Sequence, residues 1–144
     1  MSKPKILIIG CGAVGLSQGY HLSTAAEITY LVRPNRTPAF TPPKHLYDYK
    51  SDTLHTFSSY RVIESTSAVA GEHFFCVFDT LDGHAARSEN GVATLKAVGD
   101  LIRDSPSTFV MYDAVGTDME QHYASSMGIE KSRLVLAVTD RVAS

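Results

Sequence analysis

The run GCGAVG, residues 10–15, constrains the fold of this chain more than any other stretch. It fits G-x-G-x-x-G, it follows the apolar, β-branched segment KILII, and it opens an amphipathic segment that reads as a helix over residues 13–25. Each glycine has a physical reason in a strand–turn–helix unit. Gly10 makes the tight turn, Gly12 lets a pyrophosphate approach the backbone, and Gly15 lets the helix pack close to the sheet. Gly19, one turn later, extends that close packing. The backbone N–H groups that open the helix, around Cys11, Ala13 and Val14, then face an anion.

The rest of the chain alternates strands and helices. EITYLV reads as the second strand. RPNRTPAFTPPKH carries four of the six prolines, which predicts a loop with no helix. LYDYKSDTLHTFSSYRVIES alternates around KSD, with Tyr47, Tyr49, Leu54 and Thr56, as a small hairpin. HFFCVFD is a continuous apolar run, the pattern of a strand buried on both faces. GHAARSENGVATLKAVGDLI has helical spacing, with a core stripe within residues 92–102. STFVMYD is a further strand, TDMEQHYASSMG a short helix with Thr117 as N-cap and Gly128 as stop, and RLVLAVTD a last strand. This order predicts one α/β domain over residues 1–144, a doubly wound, Rossmann-type, mostly parallel sheet with helices on both faces. Ligands of such sheets sit beyond the carboxyl ends of the strands, here Gly10, Arg33, Asp79, Asp113 and Asp140.

The end of strand two chooses the cofactor. An NAD site places an acid there for the ribose 2′-hydroxyl, and residues 28–47 contain none. They contain Arg33 and Arg36 instead. A guanidinium pairs bidentately with a 2′-phosphate, so the reading is NADP.

Composition narrows the partners. A net charge of −2 without a basic tract argues against nucleic acid. No apolar run is long enough to cross a bilayer, and the N-terminal run is too short for a signal sequence. The expectation is a cytoplasmic protein with no membrane partner and with Cys11 and Cys76 reduced and unreactive. The six histidines show neither HxxxH nor HExxH spacing, so no metal is expected.

ILIIGCGAVG, the arginine ending strand two, FFCVFDTLDGHAA, FVMYDAVGTDMEQ and RLVLAVTD together resemble the N-terminal domain of the ketopantoate reductases (2-dehydropantoate 2-reductases). The resemblance covers essentially the whole chain. It implies NADPH-dependent reduction of ketopantoate, with a lysine after the fourth strand, an asparagine in an NG motif, and a second, helical domain supplying further groups. This sequence departs from that pattern. The lysine falls at or near Thr80, and the NG pair falls on Asp113-Ala114. The helical domain is expected to be absent, so apolar surface left by it predicts a homo-oligomer or a partner chain. Thr80 stays a cofactor-contact candidate that can donate one hydrogen bond.

Two functions follow as expectations. One is an NADPH-dependent oxidoreductase domain, incomplete for ketone reduction alone and acting on a small-molecule substrate. The other is a repurposed module, either a cofactor-binding or regulatory subunit or a cyclase- or isomerase-type enzyme. In that case Asp113, with a pKa raised by desolvation, moves the proton. Asp113 bonding its own loop is the competing reading. Asp79 and Asp82 read as carboxylates at a helix N-terminus, and His84 as solvent-exposed or a proton carrier.

Overall fold

A computed structural model describes residues 3–137. Six parallel strands form one sheet in the order β5-β2-β1-β6-β7-β8, with β1 at Lys5–Ile9, β2 at Glu27–Leu31, β5 at Tyr60–Ile63, β6 at Cys76–Asp79, β7 at Phe109–Tyr112 and β8 at Leu134–Leu136. The expected doubly wound α/β architecture is present. In β1, Leu7 and Ile9 join one buried cluster while Ile6 and Ile8 join another. Alternate side chains of a strand point to opposite faces, so the sheet is buried on both, as an all-parallel sheet must be. Helix α1 (Ala13–Leu22) covers the Ile6/Ile8 face. Helices α4 (Glu89–Ile102) and α5 (Met119–Met127) cover the other through Leu95, Val98, Ile102, Tyr123 and Met127.

The strand order reverses between β1 and β6, where Ile9 pairs with Asp79. Chains leaving these two strands diverge to opposite sides, which opens a crevice at their carboxyl ends. The glycine loop and residues 80–82 flank that crevice.

Local differences from the sequence reading have local causes. α1 ends at Leu22 rather than residue 25, because the Ser23 backbone N–H and hydroxyl both turn back to the Tyr20 carbonyl. The proline-rich loop does hold one helical turn, α2 (Thr37–Phe40), with its proline in the first turn, where no N–H is needed. The hairpin forms as β3 (Lys44–Asp48) and β4 (Thr53–Phe57), a separate two-stranded sheet. β5, which the sequence reading did not assign, pairs with β2 in parallel.

The long helical segment after β6 is two helices, α3 (Gly83–Arg87) and α4. Ser88 has extended ψ, and its hydroxyl accepts the Gly91 N–H, so it starts a new helix. α5 is preceded by Asp118 in the left-handed region, not by Thr117 as cap, whereas Gly128 closes it at φ +67° as expected. β8 covers Leu134–Leu136 of RLVLAVTD, and residues 138–140, with Asp140, lie outside the described residues.

Candidate functional site

The crevice at the β1/β6 switch point is a cleft of about 790 Å³. That volume is in the range of small-molecule and cofactor sites. Its lining includes the glycine loop after β1, Arg33 and Arg36 after β2, and Thr80, Leu81 and Asp82 after β6. The sequence-predicted cofactor residues after β1, β2 and β6 are therefore brought together.

The glycine loop has the geometry that its spacing demands. Gly10 sits at φ +94°, and a Cβ there would stand 2.6 Å from the Thr80 hydroxyl. A Cβ on Gly15 would stand 2.5 Å from the Gly10 carbonyl oxygen, and one on Gly19 would run into the Tyr30 hydroxyl. Those positions are closed by the protein itself. Gly12 is different: a Cβ there would meet nothing within 4 Å. The fold does not require glycine at that place, and the space above it is open. Gly12 is also the N-cap of α1, which has no side-chain cap and no acid in its first turn. The N–H groups of the first turn, including those of Ala13 and Val14, thus keep their positive end available to an anion.

Cys11 is buried in the loop, and burial pushes its thiol up to about 11. Cys76 lies in the sheet with its thiol likewise at about 11. Both are protonated at neutral pH and fill space.

Arg33 lies two residues past the end of β2, after the buried Val32, and is exposed in the cleft. Among the described residues neither Arg33 nor Arg36 makes an ion pair with a carboxylate. The Arg36 guanidinium stands 5.9 Å from the centre of the Phe40 ring, which fixes its stem without neutralising it. The lining of the cleft thus combines, among the described residues, two guanidinium groups without a carboxylate partner and a helix N-terminus without a side-chain cap, a lining that favours an anionic ligand.

Thr80 lines the cleft, but its hydroxyl donates to the Ile9 carbonyl at 2.7 Å. It braces β1 against β6 and has spent its one proton doing so. Asp82 accepts the Ala85 N–H and caps α3, as expected, and His84 is exposed on that helix. Asp113 is half-buried at the end of β7, outside the lining of the cleft, with its N–H on the Asp79 carbonyl at 3.1 Å.

The helix-terminus reading of Asp79 is corrected. Its carboxyl is fully buried, accepts the Leu81 N–H at 3.2 Å, and takes a hydrogen bond from the Tyr123 hydroxyl, itself fully buried. Burial pushes its pKa up to about 8. The Leu81 N–H opposes the shift and the charge of Asp113 adds to it. The strongly perturbed acid at this edge is therefore Asp79, beneath the cleft wall.

Sequence reasoning missed the residues that β5 and α4 bring in. Glu64, Ser65 and Thr66 follow β5 into the cleft, and Ser88, Asn90, Thr94 and Ala97 reach it from α4. The signal for the first group was the β-branched pair Val62-Ile63, hidden behind the hairpin.

No protein-family model and no curated protein matches the chain. Solved structures do. The 2-dehydropantoate 2-reductase from Geobacter metallireducens superposes with TM-score 0.65 at 18% identity, over 92% of this chain and 40% of its own. The 2-dehydropantoate 2-reductase from Methylococcus capsulatus gives 0.57 at 22% identity, over 86% and 37%. A lactate dehydrogenase from Eimeria maxima, solved with NADH and oxamate, gives 0.61 at 14% identity, over 94% and 44%. The chain spans less than half the length of each. The resemblance to ketopantoate reductases is met at the level these identities support, and the chain is built on the Rossmann-type α/β sheet that those reductases and dehydrogenases share.

Proposed function

We propose that this chain is the NADPH-binding domain of an oxidoreductase of ketopantoate-reductase type. The observation that carries the reading is the meeting, in one cleft, of an uncapped helix terminus under open space at Gly12 and two arginines without carboxylate partners among the described residues. The α1 N–H groups hold the pyrophosphate, and Arg33, with Arg36 beside it, holds the 2′-phosphate. Leu81 and Ala97 supply apolar wall. Bound in this way, the cofactor supplies a hydride to a carbonyl substrate.

Reducing a ketone also needs a proton donor for the developing alkoxide. Thr80 is committed to the Ile9 carbonyl and Asp79 is sealed from solvent. The cofactor half is thus furnished here, while the groups that orient a keto acid come from another unit, a helical domain or a second chain. A cytoplasmic oligomer fits that division.

An NADPH titration by fluorescence, followed by ketopantoate and the loss of reduced-cofactor absorbance, tests both halves. Arg33→Ala is expected to weaken NADPH binding by about tenfold to a hundredfold, the scale of a charge-assisted phosphate pair, and NADH binding much less. No binding by the parent chain, with Arg33→Ala indistinguishable from it, overturns the reading.

A second reading rests on the position of Asp113. It is the half-buried acid at the carboxyl edge beside the sealed Asp79, so a repurposed module would move protons through it. Asp113→Asn separates the two. If the acid opposes a substrate carboxylate, reductase activity rises in the variant, whereas in a proton-transfer enzyme the parent's activity is lost.

A further inference from the structure

The arginines that face the cleft sit on a short turn between β2 and α2, and that turn is held from outside. Glu64, the residue after β5, accepts the Thr37 N–H at 3.1 Å and the Thr37 hydroxyl at 2.6 Å on the same oxygen, Oε2. The Thr37 hydroxyl first, then the nearby backbone N–H of Asn35 and that of Thr37, hold the carboxyl below its usual range. Asn35 has φ +68°, so this segment turns sharply between the two arginines. The turn is closed by the Arg36 N–H on the Arg33 carbonyl at 3.1 Å. The other end of α2 is fixed from the same strand, since the Tyr60 hydroxyl donates to the Phe40 carbonyl at 2.8 Å. Phe40 in turn lies under the Arg36 guanidinium. β5 therefore pins the arginine-bearing segment at two points, and one of them is a carboxylate lining the cleft.

A carboxylate in a site meant for a 2′-phosphate is at first sight the wrong sign. Its placement gives it another task. The donors that reach it belong to the segment between and after the arginines, and neither arginine is paired with it. An arginine loop left untied would lose side-chain and backbone freedom on meeting its ligand, and that cost would come off the affinity.

We propose that Glu64 is the positioning residue for cofactor choice: by clamping the turn at Asn35 and Thr37 from β5, it presents Arg33 and Arg36 to the 2′-phosphate of NADPH. The proposal rests on the NADPH reading above. It assigns the preference for the phosphorylated cofactor to a pair, the arginines that touch the phosphate and the acid that holds them.

The test compares dissociation constants for NADPH and NADH, by fluorescence titration of the whole chain, in the parent, Glu64→Ala, Glu64→Gln and Thr37→Val. Glu64→Ala is expected to weaken NADPH about tenfold while moving NADH less than about twofold, because only the phosphate contacts depend on the turn. Glu64→Gln keeps an oxygen that accepts both Thr37 donors and is expected to restore the parent ratio. Thr37→Val removes one donor and falls between.

A role in general stability would move both cofactors together, so an unchanged NADPH:NADH ratio in Glu64→Ala overturns the proposal. So does a ratio that rises in Glu64→Gln, which would place the acid against the ribose itself. If the parent prefers NADPH and loses that preference in Arg33→Ala but not in Glu64→Ala, only this proposal falls. If the parent binds neither nucleotide, the NADPH reading falls with it.

Discussion

Replacing Gly12 by alanine is expected to weaken NADPH binding at least about a hundredfold, some 2.7 kcal/mol, and to leave the stability of the free chain nearly unchanged. The fold gives no reason for glycine there. The backbone at Gly12 has φ −81° and ψ −165°, open to any L-residue, and a Cβ meets nothing within 4 Å. Two small effects on stability oppose each other. Alanine restricts the unfolded chain, a gain of about 0.4–1 kcal/mol, but it is a poorer N-cap than glycine by a similar amount. The methyl group enters the open space above the first N–H groups of α1, where the proposed pyrophosphate would sit. Gly10→Ala and Gly15→Ala are the contrasting pair. The first forces a side chain into φ +94° and against Thr80, the second into the Gly10 carbonyl, so both lose stability along with binding. Thermal unfolding of the three variants beside their NADPH titrations checks this. Parent-like binding by Gly12→Ala would remove the dinucleotide from the cleft.

How much was legible in the sequence follows from how far apart the cooperating residues lie. GCGAVG declares a turn, a ligand approach and a helix contact within six residues; the turn at Gly10 and the contact at Gly15 are where the spacing put them, and Gly12 lies under open space. The place of Arg33 in the cleft lining was legible because it follows the apolar run that ends at Val32, one residue past β2. Its clamp was not: Thr37 and Glu64 are 27 positions apart, and only the parallel pairing of β5 with β2 brings the acid to the arginine turn. β5 itself is four residues long and follows the hairpin closely, so its alternation blurred into that of β4. The break at Ser88 was hidden for a different reason. Apolar spacing continues through it, and the new helix is marked by one hydroxyl on the Gly91 N–H. Asp79 was misread because an acid between a strand and a helix usually caps the helix. Asp82 does that here, and the partner that draws Asp79 inward, Tyr123, is 44 positions on.

That buried acid makes stability fall as pH rises through neutrality. An aspartate with the ordinary value of 3.8 in the unfolded chain and about 8 in the folded one binds a proton on folding throughout the interval between them. The folded state holds more protons than the unfolded state there, so the unfolding free energy decreases with pH, by at most about 1.4 kcal/mol per pH unit from this group. Its contribution is complete below the unfolded value and lost as pH passes the folded one. The groups facing the carboxyl do not rescue its charge. Asp113 repels it, Tyr123 can give it one hydrogen bond, and the Leu81 N–H is the remaining donor. Asp79→Asn keeps the size and an acceptor for Leu81 and cannot ionise. Urea unfolding at pH 5, 6.5, 8 and 9 is expected to show the parent losing a few kcal/mol relative to this variant across the series, with the variant the more stable of the two at pH 9. A difference that stays constant with pH would mean that Asp79 titrates alike in both states and that burial beneath the cleft costs it nothing.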